Sequence, residues 1–246
     1  VFASFLHSGN ATTVLPRELA PEPPAPENEA LPNAPRTTVI VPTDDPRLAY
    51  KVLDHDIVEI DTATDAVLRY FDGIGTNFLG LALNPTGDTL WASHTESDNL
   101  IRFEPELNGK FAFSRLAAIN LSSGTPTTHD LNPGVDLDLL PNPIAAANAL
   151  SQPTAIVFEP DGNHLWTAAF ASDRVARIVA SNGAIDERVD LRIGGTGQAD
   201  EMRGPRGLAY RSANGNLYVL NKLGESLSVV DTQATTPAVT AEIALS

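Results

Sequence analysis

Short apolar runs, parted by turns that carry Gly and Asn, recur along this chain at a spacing of about 45 residues. One copy reads Leu81-Ala82-Leu83-Asn84-Pro85-Thr86-Gly87-Asp88-Thr89-Leu90-Trp91-Ala92-Ser93. A second runs from Ala155 to Thr167, with Pro160-Asp161-Gly162-Asn163 at its turn and Leu165-Trp166 after it. A third runs from Gly207 to Val219 through Ala213-Asn214-Gly215-Asn216, with a turn one residue shorter. Gly and Asn accept the positive φ of tight hairpins, so each turn predicts a link between two antiparallel strands. Nine residues after each aromatic the next apolar run begins: Leu100 after Trp91, Val175 after Trp166, Leu227 after Tyr218. Within Asp56-Ile57-Val58-Glu59-Ile60-Asp61 and Ser226-Leu227-Ser228-Val229-Val230-Asp231, apolar and polar positions alternate with the two-residue period of a strand. No segment carries a long 3.6-residue stripe, so helices should be rare.

The pattern predicts an all-β chain, with strands near Leu79–Leu83, Thr89–Ser93 and Asn99–Phe103. A tandem four-stranded antiparallel unit of this length matches one blade of a β-propeller, whereas a β-sandwich needs no tandem repeat. Partial copies extend the count. Phe2 to Val14 reads as the second and third strands of a unit, with Phe2 at the Trp91 position. Asp56 to Phe71 reads as the closing strands of another, which gives about five units in one domain over 1–246. The chain starts inside a unit and without Met, which reads as a piece of a longer propeller. Either Thr240 to Leu245 closes onto the N-terminal strands, or further blades lie outside these residues, because a blade cut mid-sheet exposes a strand edge.

Two insertions break the repeat. Residues 15–46 hold nine of the 19 prolines, densest at Pro21-Glu22-Pro23-Pro24-Ala25-Pro26. This segment is expected to be an extended, mobile excursion with too few bulky apolar residues to anchor a core. Residues 120–148 are polar and then Ala- and Leu-rich, and Ile144 to Leu150 is predicted to form one short helix on a propeller face.

Composition narrows the function. Asp and Glu number 31 against 16 Lys and Arg, a net charge of −15, which disfavours nucleic acid and anionic membrane as partners. No apolar run approaches the roughly 18 residues of a membrane span. The absence of Cys removes thiol catalysis, Cys-ligated zinc and haem attachment from this chain.

No nucleophile elbow, P-loop or His-Glu-x-x-His pattern occurs, so no catalytic, cofactor-binding or metal residue is assigned. Gly194-Gly195-Thr196-Gly197 leads into Gln198-Ala199-Asp200-Glu201 and reads as an inter-blade loop. His7, His55, His94, His129 and His164 stand singly. His164 is placed in a solvated hairpin turn, and His94 near the propeller axis as a structural residue. The run His129-Asp130-Leu131-Asn132-Pro133-Gly134-Val135-Asp136-Leu137-Asp138 spaces oxygens as Ca²⁺ ligands are spaced. It departs from the EF-hand pattern at Pro133 and at Pro141, where the bidentate Glu belongs, and reads first as an acidic loop. Ca²⁺ is the one ion whose chemistry the chain approaches. The sequons Asn10-Ala11-Thr12 and Asn120-Leu121-Ser122 are short enough to arise by chance. Trp91, Trp166 and Tyr218 occupy one repeat position and read as blade-to-blade packing residues.

Apolar run, Pro-Asp-Gly-Asn, Leu-Trp, then Leu-Ser-Val-Val-Asp-Thr resembles the YVTN/YncE-type β-propeller repeats, which are similar to lactonase-type propellers. The resemblance covers most of Ala49 to Ser246. It implies a secreted, cell-surface or periplasmic protein. The clear repeat, the lack of a catalytic constellation and the two insertions read as a scaffold that binds a protein or small-molecule ligand on a propeller face. The resemblance also keeps open a lactonase-like or other hydrolytic enzyme, and a propeller module of a cytochrome-containing redox protein with further domains on the same polypeptide.

Overall fold

The computed structural model describes residues 1–9, 11–101, 109–192 and 202–245. These form an all-β propeller-like array of antiparallel sheets. Three sheets have four strands each. One holds β6 (Asn77–Leu83), β7 (Thr89–Ser97), β8 (Ala112–Asn120) and β9 (Pro126–Asp130). The next holds β10 (Pro153–Phe158), β11 (His164–Ala169), β12 (Arg174–Val179) and β13 (Ile185–Asp190). The last holds β14 (Pro205–Arg211), β15 (Asn216–Asn221), β16 (Ser226–Asp231) and β17 (Ala238–Ala244). In each, strand order follows chain order, as the hairpin turns require. Gly87, Gly162 and Gly215 sit in those turns at φ 77, 72 and 64, values that a Cβ disfavours.

The N-terminal strands combine differently from expectation. β1 (Phe2–Ser4) pairs with β4 (Ile57–Ile60), and β4 with β5 (Val67–Phe71), giving one three-stranded sheet. Phe2–Ser4 of the first partial copy and the strands of the second therefore share one sheet. Between its strands lies a separate hairpin, β2 (Thr12–Leu15) with β3 (Val39–Pro42). This corrects the picture of residues 15–46 as an excursion without a core. Thr37-Thr38-Val39-Ile40-Val41 is free of proline and β-branched, so it pairs. Leu15, Ala20, Val39 and Val41 are buried together, with Leu48 packed on them, and Arg36 donates to the Ala20 carbonyl. A second correction concerns the strand expected at Asn99–Phe103. Asn99 and Leu100 lie in a turn, residues 102–108 fall outside the described residues, and the third strand is β8. Pro126–Asp130, within the 120–148 segment, forms β9, and helix α1 (Pro143–Asn148) follows where the short helix was expected. The C-terminal strand β17 pairs with β16 as the outer strand of the last sheet.

Packing between consecutive sheets supplies the core. Ile57 and Phe71 of the first sheet meet Leu90, Ala92, Ala117 and Ile119 of the second. Trp91, Leu116 and Leu131 of the second meet Ile156, Leu165 and Ile178 of the third. Trp166, Val175, Val189 and Leu191 of the third meet Leu217, Val219, Val230 and Val239 of the fourth. The inner strands touch in series, β10 lying against both β6 and β14. A Cβ on Gly80 would lie 2.1 Å from the Thr154 carbonyl oxygen, so glycine permits the close approach of β6 to β10.

Candidate functional site

A cleft of about 400 Å³ opens where the second sheet hands over to the third. Its floor is Phe113, Ala145, Ala146 and Ala149, and Leu137, Leu139 and Leu140 stand exposed around it. A shallower cavity on the other side of the same loop shares Asn132, Val135, Asp136 and Asn142, and reaches Arg188.

Local sequence sets this geometry. Leu131 and Leu150 anchor the two ends of the loop in the inter-sheet core. Asn132 ties those ends together, its Nδ2 donating to the Leu150 carbonyl at 3.0 Å and its Oδ1 accepting the Leu150 amide at 2.8 Å. Asn142 caps α1 by accepting the Ala145 amide at 3.0 Å, and its Nδ2 donates to the Asp136 carbonyl at 3.2 Å. The alternating aspartates that space oxygens as Ca²⁺ ligands are spaced also organise the loop. Asp130 accepts the Asn132 amide and Asp136 accepts the Asp138 amide, each at 2.9 Å, while Asp138 pairs with Lys110. Both amide bonds are Asx turns, which also recur at a two-residue spacing. His129 stacks on Trp91 with ring centroids 5.3 Å apart, and burial pushes its imidazole below the ordinary range.

Among the described residues, the ligand atoms that do converge belong to Glu159, Asp161 and His164, within 4.8 Å of one another. A guanidinium already sits there. Arg177 donates Nε to Glu159 Oε1 at 2.8 Å and an Nη to Oε2 at 3.0 Å, and lies 3.3 Å from Asp186. Trp166 Nε1 also donates to Glu159 Oε1, at 2.9 Å. Arg177 braces Glu159, His164 and Asp186, and places a positive charge beside this group. His164 begins β11 and is half-buried among these charges, which corrects its placement in a solvated turn.

His94 is fully buried on β7, stacked against Phe78 at 5.4 Å, and neither ring nitrogen finds a hydrogen-bond partner among the described residues. Burial first, and then the Arg115 charge, lowers its pKa to about 4. It is packed in the core without the hydrogen-bond partners that a satisfied structural histidine would have. His7 bonds the Asn77 side chain, and His55 bonds Asp72 at 2.7 Å while stacking on Tyr70. The structure brings no two histidines into one site. Sequon residue Asn10 and the glycine cluster Gly194-Gly195-Thr196-Gly197 lie outside the described residues.

One recurring device escaped the sequence reading. Asp173 accepts the backbone amides of Arg203 at 2.9 Å and Gly204 at 2.8 Å, just ahead of the next sheet's first strand. Asp56 accepts the Ile74 amide in the same way. Asp173 directly precedes the third strand of its sheet and Asp56 the middle strand of the three-stranded first sheet, and each clips its sheet to the following one. The signal was present as Asp56-Ile57 and Asp173-Arg174.

No protein-family model matches the chain, and no curated protein does. Solved structures do. Hydrazine synthase of Kuenenia stuttgartiensis superposes with a TM-score of 0.57 at 16% identity, over 72% of this chain and 52% of that one. A functionally unknown protein from Desulfotomaculum acetoxidans DSM 771 gives 0.49 at 13%, over 77% and 49%. Virginiamycin B lyase from Staphylococcus aureus gives 0.47 at 17%, over 85% and 60%. The chain thus spans about half the length of the first two. At these identities the likeness concerns the fold alone, and the class is a propeller-like all-β protein.

Proposed function

We propose that this chain is a binding propeller of the YVTN/YncE type, acting outside the cytoplasm, and that its ligand site is the cleft between Phe113 and α1. The observation that carries this is the combination of an apolar floor with carboxylates oriented by their own loop. Asp130 and Asp136 are oriented by backbone amides of their own loop and Asp138 by Lys110, so the carboxylates of this loop already have partners. What remains for a ligand is a concave apolar surface with a few fixed polar atoms, the arrangement of a small-molecule or peptide pocket. The repeat's resemblance to secreted propellers supports the location, and the acidic composition suits a soluble protein.

The test is a ligand-observed ¹⁹F NMR screen with neutral fluorinated aromatic fragments. Fragments should bind the wild type, lose binding in Ala146→Trp, which fills the cleft, and keep it in Leu245→Lys at the far end of the array. Fragments that bind Ala146→Trp equally well would defeat the assignment. Sustained hydrolysis of the lactone dihydrocoumarin, lost in Ala146→Trp, would make the protein an enzyme instead.

A further inference from the structure

Strand β8 outruns its outer neighbour. Its last partner on β9 is Asp130, opposite Arg115, and just beyond it the Leu131 amide donates to the Ser114 carbonyl at 3.1 Å. On the other side β7 continues to Ser97, opposite Ala112. The backbone groups of an antiparallel strand turn to its two neighbours at alternate residues. Phe111 and Leu121 bond on the β7 side, to Asp98 and Asp88, whereas Ser114 and Asn120 bond on the β9 side, to Leu131 and Thr125. Ala112 shares the parity of Ser114. Its N–H and C=O therefore point to the side that β9 has left, and neither bonds a partner among the described residues.

That side is the cleft, which Ala112 and Ser114 line. Their small side chains lie on the face of Leu116, the face turned to the third sheet, and leave the space above them open. Across the cleft stand Ala145, Ala146 and Ala149, with the exposed leucines of the loop beside them. Asp130 and Asp136 also line it; each accepts a backbone amide, and neither pairs with a cation among the described residues. An unpaired strand edge without proline is a template for another strand.

We propose that the cleft takes an extended peptide segment of a partner protein, which adds to β8 as a short antiparallel strand in line with β9. This rests on the reading of the cleft as the ligand site and names the class of ligand. One peptide residue exchanges both backbone bonds with Ala112. That residue and those two places away turn their side chains to the alanines of α1, so small apolar side chains fit there. Basic residues flanking the segment meet Asp130 and Asp136, on a chain of net charge −15. Main-chain bonds supply affinity in this mode and the alternate side chains supply selectivity.

Isothermal titration calorimetry with the probe acetyl-Lys-Thr-Val-Thr-Val-Thr-Lys-amide tests this. Wild type should bind it with a Kd of about 100 μM or tighter. The same peptide N-methylated at both valines, whose N–H groups would face β8, should bind at least about tenfold more weakly. In the complex the Ala112 amide should exchange with solvent about tenfold more slowly. Ala112→Pro removes that amide at an edge position that tolerates proline and should lose the peptide, with far-UV circular dichroism checking its fold. If that variant does not fold, the N-methyl comparison on wild type decides. Equal binding of the N-methylated peptide overturns the strand addition, and equal binding of a probe with Glu at both ends overturns the basic partner. Wild type that binds the fluorinated fragments but not the peptide overturns this proposal and leaves the cleft reading standing. Wild type that binds neither overturns both.

Discussion

Replacing Trp166 separates a buried register from an open one. The indole is fully buried between the third and fourth sheets, against Leu217 and Val219 among others, and its N–H bonds Glu159. Truncation to Ala removes that packing and leaves a cavity, a loss of about 3–5 kcal/mol. Glu159 keeps both bonds to Arg177, so no carboxylate is stranded and the packing loss dominates. For a chain of this size that corresponds to a fall in melting temperature of about 6–20 °C. Trp166→Phe keeps most of the packing but removes a donor to a carboxylate, so about 1.5–3 kcal/mol is expected. Tyr218→Ala, at the same register on the fourth sheet but half-exposed, should change stability by about 1 kcal/mol or less. Differential scanning fluorimetry and urea unfolding measure all three. A Trp166→Ala melting temperature within about 2 °C of wild type, or equal losses at Trp166 and Tyr218, would refute the reasoning, since either outcome means the register does not govern burial.

Three other perturbations probe the packing elsewhere. His94 is neutral when folded, with a pKa of about 4 against an ordinary 6.5, so the unfolded chain takes up its proton first as pH falls. Stability should therefore decline from pH 6.5 towards pH 4 by up to about 3 kcal/mol. Burial raises the Asp56 pKa and pushes the other way as its carboxyl protonates. His94→Leu should flatten the decline in urea midpoints, and an unchanged slope would deny the histidine this role. Gly80→Ala drives a methyl into the Thr154 carbonyl and should destabilise by about 1–3 kcal/mol in the same assay, whereas a neutral result would mean that β6 and β10 can part freely. Thermolysin should cut first near exposed Leu31 rather than in β2 or β3, and first cleavage within Thr154 to Ile178 would contradict the burial of the third sheet.

The sheets were legible wherever local chemistry decides the structure. Turns such as Pro160-Asp161-Gly162-Asn163 need positive φ, and the Trp91 and Trp166 register follows from alternation. Legibility failed where pairing partners are distant in sequence. Asn99-Leu100-Ile101 has strand-like composition, but β7 continues to Ser97 and the true partner β8 lies beyond a detour. Thr12 to Leu15 looked like the partner of Phe2, yet β4 takes that place. The aspartates of 130–138 were ambiguous for a different reason. Ligation and Asx turns both favour alternate positions. The cleft left no signature, because its floor joins β8 to a helix some 30 residues later.

The hairpin set between β1 and β4 also bears on the order in which the chain can assemble. In the third and fourth sheets each strand pairs with a neighbour a turn away, so little chain entropy opposes closure. β1 must instead find a partner more than 50 residues on, across a proline-laden stretch with its own small core. Contacts of such separation form slowly and reward late. The first sheet is thus the last to mature and the first to open. Amide exchange should grade along the polypeptide, fastest in Phe2–Ser4 and slowest in the strands that flank Trp166.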